Sequence, residues 1–399
     1  MPETGGLDRA PSRGGDTEPM SVINVCFVAH SAYGEMAGGR SGEIGGIQRQ
    51  QSLMARWLAR RGHRVTMLTH DEGQPAEQLI AGVRMLKLHR KSAGLPGLRF
   101  FHPRWTALLS GLARADAQVY YHNNAEYITG QVALWCRTNH RPFVFSTAHD
   151  WDCEPALVHL PSWRERRLYT YGLKNADRVI SQTATQARLL REGFGLSSTV
   201  IAMPCPLSGL PPVAFEQRAV PPRVLWVGRI VENKRLEMLL DIAEQAPDLR
   251  FDVAGTPEVG SSYGASVLVR AERLSNVTVH GRVARERMPS LYRAALCLCC
   301  TATLEGFPNT FLEAWSEGTP IVSTFDPDGL IVSRGLGSAG HTVPELLAGI
   351  RRLSDSGDAW RLASHNSRLH FAGTHDPEIV MPQFERVFAE AQAGRVFET

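Results

Sequence analysis

In LEGFPNTFLEAWSEGTPIVST, residues 304–324, Glu305 and Glu313 lie eight positions apart around a Gly-Phe-Pro-Asn turn. Pro308 suits the first turn of a helix, so the turn predicts a helix start whose N–H groups at Asn309, Thr310 and Phe311 form an anion site. Glu313, farther along the same helix, is placed to accept hydrogen bonds from hydroxyls. Upstream, WVGRIVENKRLE sets Arg229 directly behind an apolar run and Lys234 five residues later. Two cations there suit a diphosphate, whose charge must be neutralised when it departs as a leaving group. Taken singly, the glutamates also read as helix capping and the cations as ordinary surface charge. The placing of both segments at strand ends of one sheet favours chemistry.

The elements that must position these groups follow from the hydrophobic pattern. VINVCFVAH (22–30) is nearly all apolar, which suits a strand buried on both faces. A glycine-rich stretch follows, then IQRQQSLMARWLARRGH, in which Ile47, Leu53, Met54, Trp57 and Leu58 recur at helical spacing before Gly62. RVTMLTH (64–70) is the next strand. A glycine loop between strand and helix lets backbone N–H groups approach an anion, although a plain surface loop has the same composition. VYYHN (119–123), FVFSTAHD (143–150), ADRVISQT (176–183) and VIAMPCPL (200–207) continue as strands. LSGLPPVAFEQRAVPPR is proline-rich and aperiodic, a linker. The alternation then restarts with RVLWVGR, KRLEMLLDIAEQA, RFDVAG, VTVHG, MPSLYRAA, LCLCC, FLEAWSEG and TPIVSTF. The expected fold is α/β: two Rossmann-like, doubly wound parallel-sheet domains facing a central cleft. The divisions are a disordered tail (1–20), a first domain (21–206), a linker (207–222), a second domain (223–375) and a C-terminal helix (376–399) crossing back to the first. Ligands of open sheets of this kind bind at the carboxyl ends of the strands, so the cleft is the expected site.

Composition narrows the function classes. Hydrophobic residues are 43% and charged residues 21%, ordinary for a globular protein, and a formal charge of +3 gives no case for nucleic acid. The seven cysteines are scattered through apolar stretches; Cys297 and Cys300 have C-x-x-C spacing but no second pair nearby, so they read as core residues of a reducing cytosol. No apolar run is long enough to span a membrane.

Together the motifs resemble a known family. V-G-R-x4-K-R-L-E, G-R-V-x5-M-P-S-L-Y and E-G-F-P-N-T-F-L-E-A-W-x2-G-T-P-I-V-S look like the retaining nucleotide-sugar glycosyltransferases of family four, with the GT-B fold. The resemblance covers residues 22–390, most specifically in the E-x7-E stretch. It implies that Arg229 and Lys234 hold the donor diphosphate and stabilise it as it leaves. Glu305 would meet donor-sugar hydroxyls, with Gly306, Phe307 and the backbone at Asn309, Thr310 and Phe311 meeting sugar and phosphate. Glu313 would accept the ribose hydroxyls, and the backbone at Arg282 and Val283 would contact the base. Gly45 and Gly46 would approach the diphosphate from the first domain, and His149 would sit beside the anomeric carbon. Two departures stand out. MPCPL occupies the place of a Pro-Asn-Gly turn, and HDWD offers Asp150 and Asp152 as rival acceptor-side groups.

The resulting expectation is a metal-independent retaining glycosyltransferase with a nucleotide-diphospho-sugar donor as co-substrate and no cofactor. Its acceptor would be a glycan or lipid-linked hydroxyl. An epimerase or hydrolase of the same fold, or a non-catalytic sugar-nucleotide binder, are the alternatives. Finally, residues 84–114 hold seven basic residues and no acidic one: Arg84, Lys87, Arg90, Lys91, Arg99, Arg104 and Arg114. Leu95, Leu98, Phe100, Phe101 and Trp105 are interleaved with them. That mixture reads either as a solvated face or as a surface for anionic membrane, which would make the cytoplasmic protein peripheral on the inner face.

Overall fold

The computed structural model describes residues 22–38, 45–218, 220–303 and 305–394. The expected tail over 1–20, most of the glycine-rich stretch (39–44) and the last residues of the expected C-terminal helix (395–399) lie outside the described residues. The chain forms two parallel-sheet α/β units, the GT-B architecture. The first has eight strands: β1 (Asn24–Val28), β2 (Arg64–Thr69), β3 (Glu77–Ile80), β4 (Val83–Lys87), β5 (Val119–Asn123), β6 (Phe143–Ser146), β7 (Arg178–Ser181) and β8 (Thr199–Val200), in spatial order β3-β4-β2-β1-β5-β6-β7-β8. Only β3 runs antiparallel, against β4. The second has six parallel strands: β9 (Arg223–Val227), β10 (Arg250–Ala254), β11 (Val277–Gly281), β12 (Cys297–Cys300), β13 (Ile321–Ser323) and β14 (Gly337–Ala339), in order β11-β10-β9-β12-β13-β14.

The strands at the middle of the first sheet are buried on both faces, as their unbroken apolar runs require: Val25, Cys26, Phe27 and Val28 of β1 are all fully buried. The helix Gly46–Arg60 presents Met54, Ala55, Trp57 and Leu58 to this core. The final helix, Pro377–Gly394, leaves the second domain and packs Val380, Met381, Phe384, Val387, Phe388 and Ala391 into the same core. Trp57 Nε1 donates to Glu378 at 2.7 Å and buried Glu385 meets His63 Nε2 at 2.5 Å, fixing this helix to the first domain.

Three local readings change. The strand expected over 200–207 is only the two-residue β8, because Pro204 and Pro206 lack the N–H that a ladder needs. The basic stretch from Arg84 is in its first part a buried strand, β4, whose hairpin partner β3 brings acidic Glu77 to Arg84 at 2.7 Å. Glu305 does not close a strand. β12 ends at Cys300, and Thr301 leaves the sheet because its hydroxyl donates to Lys234 O at 2.7 Å and accepts from Trp226 Nε1 at 3.0 Å.

Candidate active site

The carboxyl ends of both sheets meet across the cleft. Beyond β9, Gly228 and Arg229 lead into a single tight turn, Glu232–Lys234. Thr303 N donates to Asn233 O at 2.8 Å, so this turn is tied to the loop after β12. Lys234 Nζ thereby forms an ion pair with Glu305 Oε1. Burial holds the Lys234 ammonium below its ordinary pKa, with a further push from the Arg229 charge. Arg229 itself is exposed and donates from Nη1 to Glu258 Oε1 at 2.9 Å. The two cations expected to act together are therefore near each other, each already engaged by a carboxylate.

After Glu305 the chain presses on the first domain. A Cβ on Gly306 would lie 2.3 Å from Ala148 O and 3.0 Å from His149 Nδ1, so only glycine allows this approach. Pro308 is extended, with ψ 121°, and the helix begins one residue later as Asn309–Ser316. Phe311 N donates to Pro308 O at 3.0 Å, and the Phe311 ring is core, which narrows the expected anion site to the N–H groups of Asn309 and Thr310. Phe307 packs 6.0 Å from the Trp315 ring. Glu313 accepts from Tyr292 Oη at 2.7 Å and forms an ion pair with Arg49 of the first domain.

Across the cleft, Gly45 and Gly46 begin the first-domain helix, and a Cβ on Gly46 would meet Asn309 Nδ2 at 2.2 Å. One turn on, Gln50 Nε2 donates to Asn309 Oδ1 at 2.6 Å. His149 follows β6 and is fixed from behind. Asp152, fully buried, accepts from the N–H groups of Ala148 at 2.8 Å and His149 at 3.0 Å. The imidazole leans on Trp151 with ring centres 4.6 Å apart, and its buried Nδ1 has no protein partner. Burial, then His159 and Lys234, lower its pKa to about 4, so it is neutral at pH 7. Asp152 Oδ2 is taken up by these two backbone groups, Ala148 N–H and His149 N–H, while its Oδ1 has no hydrogen-bond partner among the described residues, and burial raises the carboxyl to about 7. Asp150 accepts from Gln186 Nε2 at 3.1 Å.

The remaining expected residues lie farther out. Arg282 is exposed and Val283 half-buried, directly after the edge strand β11. Arg49, Gln50 and Tyr292 escaped the sequence reading, although the first two lie one helical turn after the glycine pair. Asp328 also bridges the domains: it accepts from Ala184 N at 2.8 Å and Thr185 N at 3.0 Å, capping the helix Ala184–Phe194. Among the described residues no group of three or more His, Cys, Asp or Glu is arranged to hold a metal ion. The arrangement offers a lysine to an anion, carboxylates to hydroxyls and a bare imidazole between the two domains.

Comparison with known proteins identifies the family and the fold. Residues 45–206 match the family described as glycosyl transferase 4-like domain, and residues 221–355 match glycosyl transferases group 1. The chain is 29% identical over 272 residues to mannosylfructose-phosphate synthase of Agrobacterium fabrum, covering 50% of this chain and 59% of that protein. It is 25% identical to D-inositol 3-phosphate glycosyltransferase of Mycolicibacterium smegmatis over 88% of this chain and 89% of that one. Sucrose-phosphate synthase from Thermosynechococcus elongatus shares the fold, with a TM-score of 0.75 at 20% identity over 93% of this chain and 99% of that chain.

Proposed function

Since the chain belongs to the GT-B glycosyltransferases of family four, we propose that it moves a sugar from a nucleotide-diphospho-sugar to an acceptor hydroxyl with retention at the anomeric carbon. The observation that carries this reading is that the loop whose Glu305 pairs with Lys234 presses, at Gly306, on His149 of the opposite domain. A sugar diphosphate between Lys234 and His149 would have its leaving phosphate on the former and its anomeric carbon beside the latter. The bond from the anomeric carbon to the phosphate oxygen breaks through an oxocarbenium-like state. The acceptor oxygen bonds to the same face, and its proton passes to the departing phosphate. Lys234 and Arg229 would supply the charge that a divalent ion supplies elsewhere, so no metal is required. Glu313, freed from Arg49, would accept ribose hydroxyls.

The test is incubation with UDP-, GDP- and ADP-sugars, read first as thermal stabilisation and then as the anomeric configuration of the product by NMR. A matching donor at 100 times its dissociation constant stabilises by about 2.7 kcal/mol. Inverted product would overturn retention, activity lost to a chelator would overturn metal independence, and donor turnover without transfer would favour hydrolysis.

One exposed surface supports a reading of the acceptor as membrane-borne. Of the seven cations in 84–114, Arg84 pairs with Glu77, Lys87 and Arg90 with Asp71, and Arg104 and Arg114 bond to main-chain carbonyls. Apolar side chains face outward among the exposed cations: Leu95, Leu98, Phe101 and nearby Trp163, with Arg164 over the Phe100 ring at 4.1 Å. We propose that this patch, rimmed by Arg99, Arg164 and Arg167, rests on anionic lipid on the cytoplasmic side. Sedimentation with anionic and neutral liposomes at low and high salt checks it, and binding indifferent to lipid charge would overturn it.

A further inference from the structure

The chain crosses between the domains twice, and one residue joins the two crossings. On the first pass Ile201 still lies in the first-domain core, whereas Met203 and Cys205 already lie in the second. On the return Phe371 belongs to the second core and Val380 to the first, with His375 between them. His375 ends the helix Gly357–Thr374 and is fully buried. Its Nδ1 donates to Met203 O at 2.9 Å, and its carbonyl accepts from Cys205 N at 2.9 Å. MPCPL, which stands in place of a Pro-Asn-Gly turn, is therefore the stretch that grips the return crossing.

The same ring reaches the donor side. Its centre lies 5.4 Å from that of Phe307 and 5.9 Å from that of Trp315, on which it stacks at 27°. Phe307 directly follows Gly306, the residue pressed on His149, and Trp315 follows Glu313 on the same helix. One imidazole thus meets the Glu305–Glu313 segment on both sides of its turn, while its Nδ1 holds the hinge. Donating from Nδ1 leaves Nε2 as an acceptor, and burial keeps the ring neutral, its pKa lowered to about 3. That acceptor has no protein partner; nor has the Trp315 Nε1 donor in the stacked ring, nor His370 Nε2, whose ring meets Trp315 edge-on at 5.0 Å. Apolar packing alone does not call for unmet polar atoms at this contact. A change of ring tilt would let the indole N–H meet an imidazole acceptor, so the contact has more than one arrangement.

Rotation of one domain against the other must bend the chain between Ile201 and Met203 and between Phe371 and Val380, where His375 is bonded. Packed interiors do not compress, so a shift imposed on one edge of a buried ring is passed to what lies against its face. We propose that His375 is a positioning residue that carries the motion of the hinge to Phe307, with Trp315 as its backing, and so sets Glu305 and Gly306 against His149 as the domains close on a donor. It touches neither the substrates nor the reacting atoms. This rests on the transferase reading above and adds to it the route by which closure reaches the reaction centre.

The test is a double-mutant cycle on the transfer rate at saturating donor. His375→Asn keeps a side-chain N–H for Met203 O and removes the ring, and Phe307→Leu removes the ring that His375 meets. Each alone should lower the rate about tenfold or more, since a misplacement of about 1 Å can cost 10²-fold. The affinity for the nucleoside diphosphate, which lacks the sugar, should fall far less than the rate. Together the two substitutions should cost no more than Phe307→Leu alone, because the first acts through the second. Losses that multiply would overturn the proposal, as would a full rate in His375→Asn. His375→Phe fills the same space without the hinge donor; it should bind nucleotide yet also lose rate, and a wild-type rate would reduce His375 to packing. Thermal unfolding with and without nucleoside diphosphate shows which variants fold, and if His375→Asn does not, the cycle is run with His375→Phe. A wild type that neither binds nor turns over any nucleotide sugar would sink the transferase reading itself, a result distinct from multiplying losses in an active enzyme.

Discussion

Arg49 and Glu313 form an ion pair across the cleft, half-buried on both sides. The pair engages the carboxylate proposed above to meet a ribose, and with Gln50–Asn309 it ties the two domains together. Arg49→Met should therefore give a more open empty protein. Small-angle scattering should show a larger radius of gyration without nucleotide, collapsing to the wild-type value on donor binding. Identical curves for the two empty proteins would deny the pair that role.

Lys234→Ala should lower the transfer rate on the order of 10²-fold or more, with a smaller change in donor affinity, since phosphate charge grows as the bond breaks. Arg229→Ala should act in the same direction but less, because its guanidinium is turned to Glu258. Single-turnover kinetics separate the two quantities. Equal, tenfold-or-less effects on both would count against leaving-group stabilisation.

Glu313→Gln should weaken nucleotide binding by roughly 1–3 kcal/mol through lost ribose hydrogen bonds. The amide oxygen still accepts from Tyr292, so the fold should hold. Calorimetric titration with the nucleoside diphosphate decides it; an unfolded variant would return Glu313 to a purely structural role.

Gly306→Ala forces a Cβ against Ala148 O, and overpacking of this kind typically costs about 1–3 kcal/mol. The loop should withdraw from His149, so activity should fall by more than stability does. A variant with full activity would show that the two loops need not touch.

Stability should fall with acid between about pH 6.5 and 4. His70 and His149 are lowered to about 4 and His375 to about 3 by burial, so the unfolded chain binds more protons through that window. Asp152, raised to about 7, works in the opposite direction, because its folded form holds the extra proton below that value. Glu35, Asp150 and Glu317 are also raised by burial, but the lowered histidines are more numerous and outweigh them. Thermal midpoints at pH 7 and pH 5 check the sign, and a higher midpoint at pH 5 would contradict it.

Local chemistry made much of this legible. The buried strands of an α/β sheet are written as unbroken apolar runs, and the Glu305–Glu313 segment carries its glycine, proline and carboxylates within one short stretch. Arg49 and Gln50 could not be read in the same way, because their partners Glu313 and Asn309 lie more than two hundred residues away and no local pattern predicts them. His375 was hidden for a related reason: its partner Met203 lies more than a hundred residues earlier in the chain, and only the two domain crossings bring them together. In sequence Asp152 read as a rival acceptor-side group; its two backbone hydrogen bonds, visible only in three dimensions, also make it a brace for the His149 loop.

The closing helix, Pro377–Gly394, has a consequence for synthesis. Domains commonly fold as they emerge from the ribosome, N-terminal first. Here the first sheet cannot cover Phe27 and Tyr121 until Phe388, more than 350 residues later than Phe27, reaches them. A nascent chain that has released only its first half therefore shows a sticky apolar face throughout translation of the second. Growing cells would have to shield that face with a chaperone, and a stop codon shortly before residue 377 should yield aggregates in place of a smaller working enzyme.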